Sequence, residues 1–279
     1  MPGADGGDFG SPLGPAEAAI FETFVIPRYI KLFGELALSM LADGEEAQVA
    51  HVFCRTGYPD AGISQRLIGA HLYGCDPSTH AVELARAKAA TTREVIGNYR
   101  VADALPVPLP AGAFSHAVTI HPFAAGEARE LLLGELARLL APHGQAILAL
   151  PLRGSFQEIA DLLREYALKQ ESESIDAIDT GFALRPTVEG IGAELEAAGF
   201  HYVDVEMQAH TLAWKSGRDF FEDPVTRLVI LPELRQTLRL QDADRALSYV
   251  RDAIDKYWSE GSFELSINVG CATGRRLAE

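Results

Sequence analysis

Eight residues in the first half of this 279-residue chain have types and positions suited to chemistry. Asp76 stands at the tip of a short apolar run, His71 to Cys75, where a carboxylate can grip a ribose. Its other reading is a cap on the helix opened by Pro77-Ser78. His51, Phe53, Arg55 and Gly57 alternate along the turn that follows an earlier apolar run, Val49 to Phe53. A turn between strand and helix is the place where backbone groups cradle a nucleotide. Asp103 could accept a hydrogen bond from a ligand, or serve as a turn residue. His116 and His121 flank a further run, Phe114 to Ile120. Either imidazole could take a proton as general base, or could be hydrogen-bonded structure.

Such residues need rigid elements to hold them. Short apolar runs at 49–53, 71–75, 99–101, 114–120 and 145–150 alternate with helical patterns. Alternation of this kind implies an α/β fold with a mostly parallel sheet and helices on both faces. Residues 16–42 read as two helices broken at Pro27. A helix over 125–141 ends at Pro142-His143-Gly144. Further on, 154–169 reads as an amphipathic helix, 170–182 as an acidic loop, 187–198 as a helix and 201–214 as a long strand. Residues 216–258 read as helices broken at Pro224 and Pro232, and 262–271 as a final strand. The expected organisation is a disordered tail over 1–15, then one domain over 16–279.

Composition narrows the function classes. The chain is 48% hydrophobic and 23% charged, which is globular. A net charge of −15 repels phosphate backbones, so nucleic-acid partners are not expected. The three cysteines have no metal-ligand spacing, and no metal is expected. With no signal-like start, the expected compartment is the cytoplasm. No apolar run is long enough to span a membrane.

Four segments, in order, resemble the class I S-adenosylmethionine (SAM) methyltransferase family, type 11. GCDPSTHAVELARAKA is similar to its second motif, and VADALPVPLPAGAFSHAVT to its third. ELARLLAPHGQAILALP is similar to its fifth-strand region, and LEAAGFHYVDVEMQAHTLAW to its late helix and sixth strand. The resemblance implies a Rossmann-like seven-stranded sheet in the order 3-2-1-4-5-7-6, with the last strand antiparallel. It implies cover segments at about 151–186 and 216–260. It assigns cofactor contacts to positions 51, 53, 55 and 57, ribose to Asp76, adenine to Asp103, and a substrate-facing place to His121.

The first motif departs from the family's acid-x-Gly-x-Gly-x-Gly. This chain reads His51-x-Phe53-x-Arg55-x-Gly57. The acid expected near the SAM ammonium is a histidine, and two glycines are bulky. Arg55 adds a positive charge where the cofactor is already a cation. Gly270-Cys271-Ala272-Thr273-Gly274 mimics the lost loop, yet no helix or strand follows it. Two functions are open: a degenerate member with weak or no SAM binding that binds a protein or small molecule, or an active methyltransferase acting on a small-molecule nucleophile.

Overall fold

The computed structural model describes residues 12–122, 125–170, 174–238 and 243–278. The tail expected over 1–15 lies mostly outside the described residues. At its end, Pro15 opens the first helix, α1 (Pro15–Ile20), as proline does where no N–H is needed.

No break occurs at Pro27. The helix runs on through a π-helical stretch, Phe21–Ile30, into α2 (Lys31–Ser39). A widened turn lets the proline ring clear the carbonyl one turn back, so the helix continues through it. Tyr29 and Phe33 are fully buried on this run.

Strands and helices then alternate. They are β1 (Gln48–Val52), α3 (Asp60–Arg66), β2 (His71–Asp76), α4 (Thr79–Thr91), β3 (Ile96–Val101) and β4 (Phe114–Ile120). Next come α5 (Glu127–Leu139), β5 (Leu140–Pro151), α6 (Gln157–Lys169), α7 (Ser174–Ala183), α8 (Val188–Ala197) and β6 (Phe200–Trp214). The chain ends with α9 (Gly217–Glu222), a π-helical stretch Thr226–Ile230, α10 (Leu231–Thr237), α11 (Ala243–Tyr257) and β7 (Phe263–Arg276).

The seven strands lie in the order β3-β2-β1-β4-β5-β7-β6, the order expected. β1 pairs in parallel with β2 and β4, β2 with β3, and β4 with β5. Burial on both faces explains why β1 and β4 are mostly apolar without strict alternation. Leu152 N–H donates to Asn268 O, and Phe156 N–H to Ser266 O, both at 2.8 Å. Partner numbers fall as the chain rises, so the chain leaving β5 is antiparallel to β7.

Three local expectations are corrected. Pro142-His143-Gly144 does not separate a helix from a strand: β5 begins at Leu140 and carries these residues as an irregularity, with His143 at φ 64°. Part of the expected acidic loop, 170–182, is α7. Ile178, Gly181 and Phe182 are buried at helical spacing, and that stripe outweighs the polar composition. Residues 171–173 lie outside the described residues. Pro232 makes no break, because it occupies the first turn of α10.

The chain divides into two compact units. The first comprises Met1–Leu150, Val188–Glu206 and Gly270–Glu279, and holds the candidate site. The second comprises Pro151–Thr187 and Met207–Val269. Within it Trp214, Phe220 and Phe263 pack edge to face or tilted, with centroids 4.9–6.3 Å apart. All three are buried, so these rings are core. No helix of the described residues is long and apolar enough to cross a membrane.

Candidate functional site

The turn after β1 has the backbone of a glycine loop and the side chains of something else. Phe53, Arg55 and Gly57 have φ of 55°, 48° and 77°. These three positions alternate, and all lie in the left-handed region that glycine adopts freely. For an ordinary residue it costs roughly 1–2 kcal/mol. Only Gly57 remains glycine, and it must. A Cβ there would lie 3.1 Å from the Ala85 Cβ and 3.3 Å from Asp60 Oδ2.

The strain at Phe53 and Arg55 is held by bonds around the turn. Cys54 N–H donates to Cys75 O at 3.0 Å, and Gly57 N–H to Cys54 O at 2.8 Å. Arg55 N–H donates to Asp76 Oδ2 at 2.9 Å. Lys88 Nζ on α4 donates to Thr56 O at 3.0 Å and pairs with Glu22 at 2.7 Å. The Phe53 ring is buried.

Asp76 ends β2, beside that turn. Its second oxygen, Oδ1, accepts from Ser78 N–H at 2.9 Å. Ser78 Oγ caps α4 by accepting from Ala81 N–H, and donates to Leu13 O at 2.7 Å. Asp76 and Ser78 are both 0% exposed. The carboxylate thus ties the turn after β1 to the start of α4. Asp103, by contrast, is exposed on the loop after β3.

His51 is held to α3 by one ring nitrogen. Its Nδ1 lies 2.7 Å from Asp60 Oδ1, and Tyr99 Oη donates to Asp60 Oδ2 at 2.7 Å. His51 and Asp60 are 1% and 2% exposed. An acid is therefore present near the start of the motif, but it sits on α3 and is consumed by this buried relay. Burial and the Asp60 charge push the Tyr99 phenol far above its ordinary range. Among the described residues, His51 Nε2 has no hydrogen-bond partner.

The two candidate bases are at opposite ends of β4. His116 pairs with Val49, at the start of β1, away from the turn. Its Nδ1 is 3.0 Å from Ser115 Oγ and its Nε2 is 3.1 Å from Ala42 O. Burial lowers its pKa. Both ring nitrogens thus have partners within the fold, away from the carboxyl end of the sheet. His121 does lie at the carboxyl end, at φ 51°. Its Nε2 is 2.9 Å from the buried Tyr29 Oη, and the Tyr29 and Phe33 rings pack edge-on against it at 5.1 and 4.8 Å.

Cys54 and Cys75 are buried free thiols, and Cys54 packs with Val82, Ala85 and Tyr99. Burial pushes the Cys75 thiol up to about 11 and the Cys54 thiol well above its ordinary value. Among the described residues, no cluster of three or more His, Cys, Asp or Glu side chains could hold a metal.

Residues 51–148 match the family model described as a methyltransferase domain. That match begins at His51 and covers the turn, Asp76, Asp103 and both histidines. Together with the strand order, it supports the class I SAM-dependent methyltransferase family. Over 141 residues it is 32% identical to a tRNA (carboxymethyluridine(34)-5-O)-methyltransferase, alkbh8, of Xenopus tropicalis. That alignment covers 49% of this chain and 21% of the relative, so the chain spans about a fifth of that curated protein's length. The fold is similar to the YcgJ protein of Bacillus subtilis, with a TM-score of 0.53, 12% identity, and coverage of 89% of this chain and 100% of that one. It is also similar to Haemonchus contortus phosphoethanolamine N-methyltransferase 2 in complex with S-adenosyl-L-methionine. There the TM-score is 0.53 at 14% identity, over 94% of this chain and 60% of that one.

The residues at the motif positions, as they stand, do not fit SAM: both Asp76 oxygens accept backbone N–H groups, His51 bonds to Asp60, and the turn carries a phenyl and a guanidinium. Asp60, Tyr99, Tyr29 and Leu13 were not singled out as site residues in the sequence. Their roles come from contacts made across 9 to 92 positions. Sequence spacing carries no signal for such pairs.

Proposed function

We propose that this chain is a degenerate class I methyltransferase, with weak or no SAM binding, that serves as a binding or regulatory module. One observation carries the reading: Asp76 is fully buried, and both its oxygens accept backbone N–H groups. A ribose needs those oxygens accessible. The positive charge of Arg55 and the relay-bound His51 add to the same side. The partner in this reading is a protein or small molecule. The acidic surface disfavours nucleic acid.

The second reading is an active SAM-dependent methyltransferase for a small-molecule nucleophile. It is favoured by the retained left-handed path of residues 53, 55 and 57. In that reading His121, at the carboxyl end of the sheet, would take the proton. Its Nε2 would first have to leave Tyr29.

The test is repair. The variant carries Phe53→Gly, Arg55→Gly and His51→Asp, with Asp60→Asn added to relieve the relay. If the altered turn blocks the cofactor, this variant gains a SAM-dependent rise in melting temperature that the wild type lacks. At a hundredfold excess over Kd, binding stabilises by about 2.7 kcal/mol. A wild type that already shows that rise refutes the degenerate reading.

A further inference from the structure

The outer face of α5 has a feature that neither the fold nor the candidate site uses. Glu127, Glu130, Leu131 and Gly134 recur at helical spacing and are all exposed. The opposite stripe, Leu132, Leu133, Leu136 and Leu139, supplies the core. Gly134 stands in the middle of the helix, where glycine destabilises by roughly 0.5–1 kcal/mol relative to alanine. Packing within the chain does not require it, because a Cβ there would meet nothing within 4 Å.

Beside that glycine lies an open groove of about 620 Å³. Leu105, Pro106 and Leu131 line it, and Leu131 is 53% exposed. Glu127, Glu130 and Gly134 line it too. Glu135 also borders the groove, but its oxygens are committed. It accepts from Val107 N–H at 2.8 Å and from Arg138 at 2.6 and 2.7 Å. What the groove offers a ligand is an apolar trough with two outer carboxylates.

We propose that this groove docks a basic, amphipathic segment of a partner protein. An apolar side chain of the partner lies over Gly134 between Leu131 and the Leu105-Pro106 wall. Lysine or arginine groups of the partner meet Glu127 and Glu130. The glycine is explained by close approach of the partner's chain. The charge of the occupant follows from Glu127 and Glu130 and from the net −15 of the whole chain, which steers cations to it. The inference does not depend on whether SAM binds.

The probe is a synthetic helical peptide of leucine and lysine, with a leucine-glutamate peptide as control, titrated calorimetrically into the full chain. The lysine peptide binds and the glutamate peptide does not. Gly134→Leu fills the groove without changing charge, and lowers affinity by about tenfold or more. Glu127→Gln with Glu130→Gln does the same and removes much of the salt dependence. Melting curves confirm that each variant folds. An equal affinity for wild type and Gly134→Leu would mean that the peptide coats the acidic surface at large, and would overturn the proposal. Failure of the lysine peptide to bind wild type would overturn it too.

Discussion

Replacing His51 by aspartate restores the acid that the family has at the end of its first strand. In this chain it also sets a second carboxylate against Asp60, whose Oδ1 now lies 2.7 Å from the imidazole. Both positions are almost wholly buried, so water cannot screen the conflict. Removing one partner of a buried hydrogen-bonded pair costs about 3–5 kcal/mol. For a domain of this size each kcal/mol moves the melting temperature by about 2–4 °C, so the single variant should melt roughly 6–20 °C below wild type. Asp60→Asn on top removes the like charge while leaving Tyr99 a partner, and should recover a large part of the loss. The assay is calorimetric melting of wild type, the single and the double variant, with urea titration to confirm the ranking. A His51→Asp protein that melts within about 2 °C of wild type would refute the relay as a structural element. So would a double variant no more stable than the single.

The strained turn gives a second pair of outcomes. Arg55→Gly relieves about 1–2 kcal/mol of left-handed strain against roughly 0.5–1 for added chain entropy, so stability should hold or rise slightly. Phe53→Gly relieves the same strain but empties a buried ring site worth about 3–5 kcal/mol, so urea denaturation should show a net loss. Burial lowers the pKa of His116 in the folded state, so protons bind the unfolded chain more readily. Stability should therefore be present above the ordinary value near 6.5 and be lost as pH falls through it; His116→Gln should flatten that part of the pH–stability profile, and an unchanged slope would argue against the assignment. The three cysteines are buried, and burial raises the Cys54, Cys75 and Cys271 thiols. The native protein should resist a thiol reagent at pH 8 and react only on unfolding; fast native labelling of any one of them would contradict that.

The fold was legible because its signals are local and repeated. Val49 to Val52 and Phe114 to Ile120 are apolar enough to be buried strands, and the helices between them have clear stripes. Pro27 and Pro232 misled because proline's effect depends on the helix geometry around it, which sequence does not state. The helix over 174–183 was hidden by its acids, although Ile178 and Phe182 carried its period. The site was legible only in part. Asp76, the turn and His121 could be placed at the right sheet edge from motif order. That both Asp76 oxygens would be taken by the Arg55 and Ser78 N–H groups could not be read, nor that His51 would bond to Asp60. Arg55 lies in a turn distant in sequence from Asp76, and Asp60 lies on a different element from His51. His116 looked equivalent to His121 in sequence, yet five residues along a strand put it at the other end.

The central claim is that the sealed acid and the crowded turn leave little or no affinity for the cofactor. Isothermal titration of the wild-type chain with SAM, and separately with S-adenosylhomocysteine, tests it most directly. The account predicts no measurable heat from either ligand, or a dissociation constant no tighter than about millimolar, near −4 kcal/mol. Submicromolar binding of SAM would contradict it, and would require that Asp76 open to solvent and the chain pass both Phe53 and Arg55.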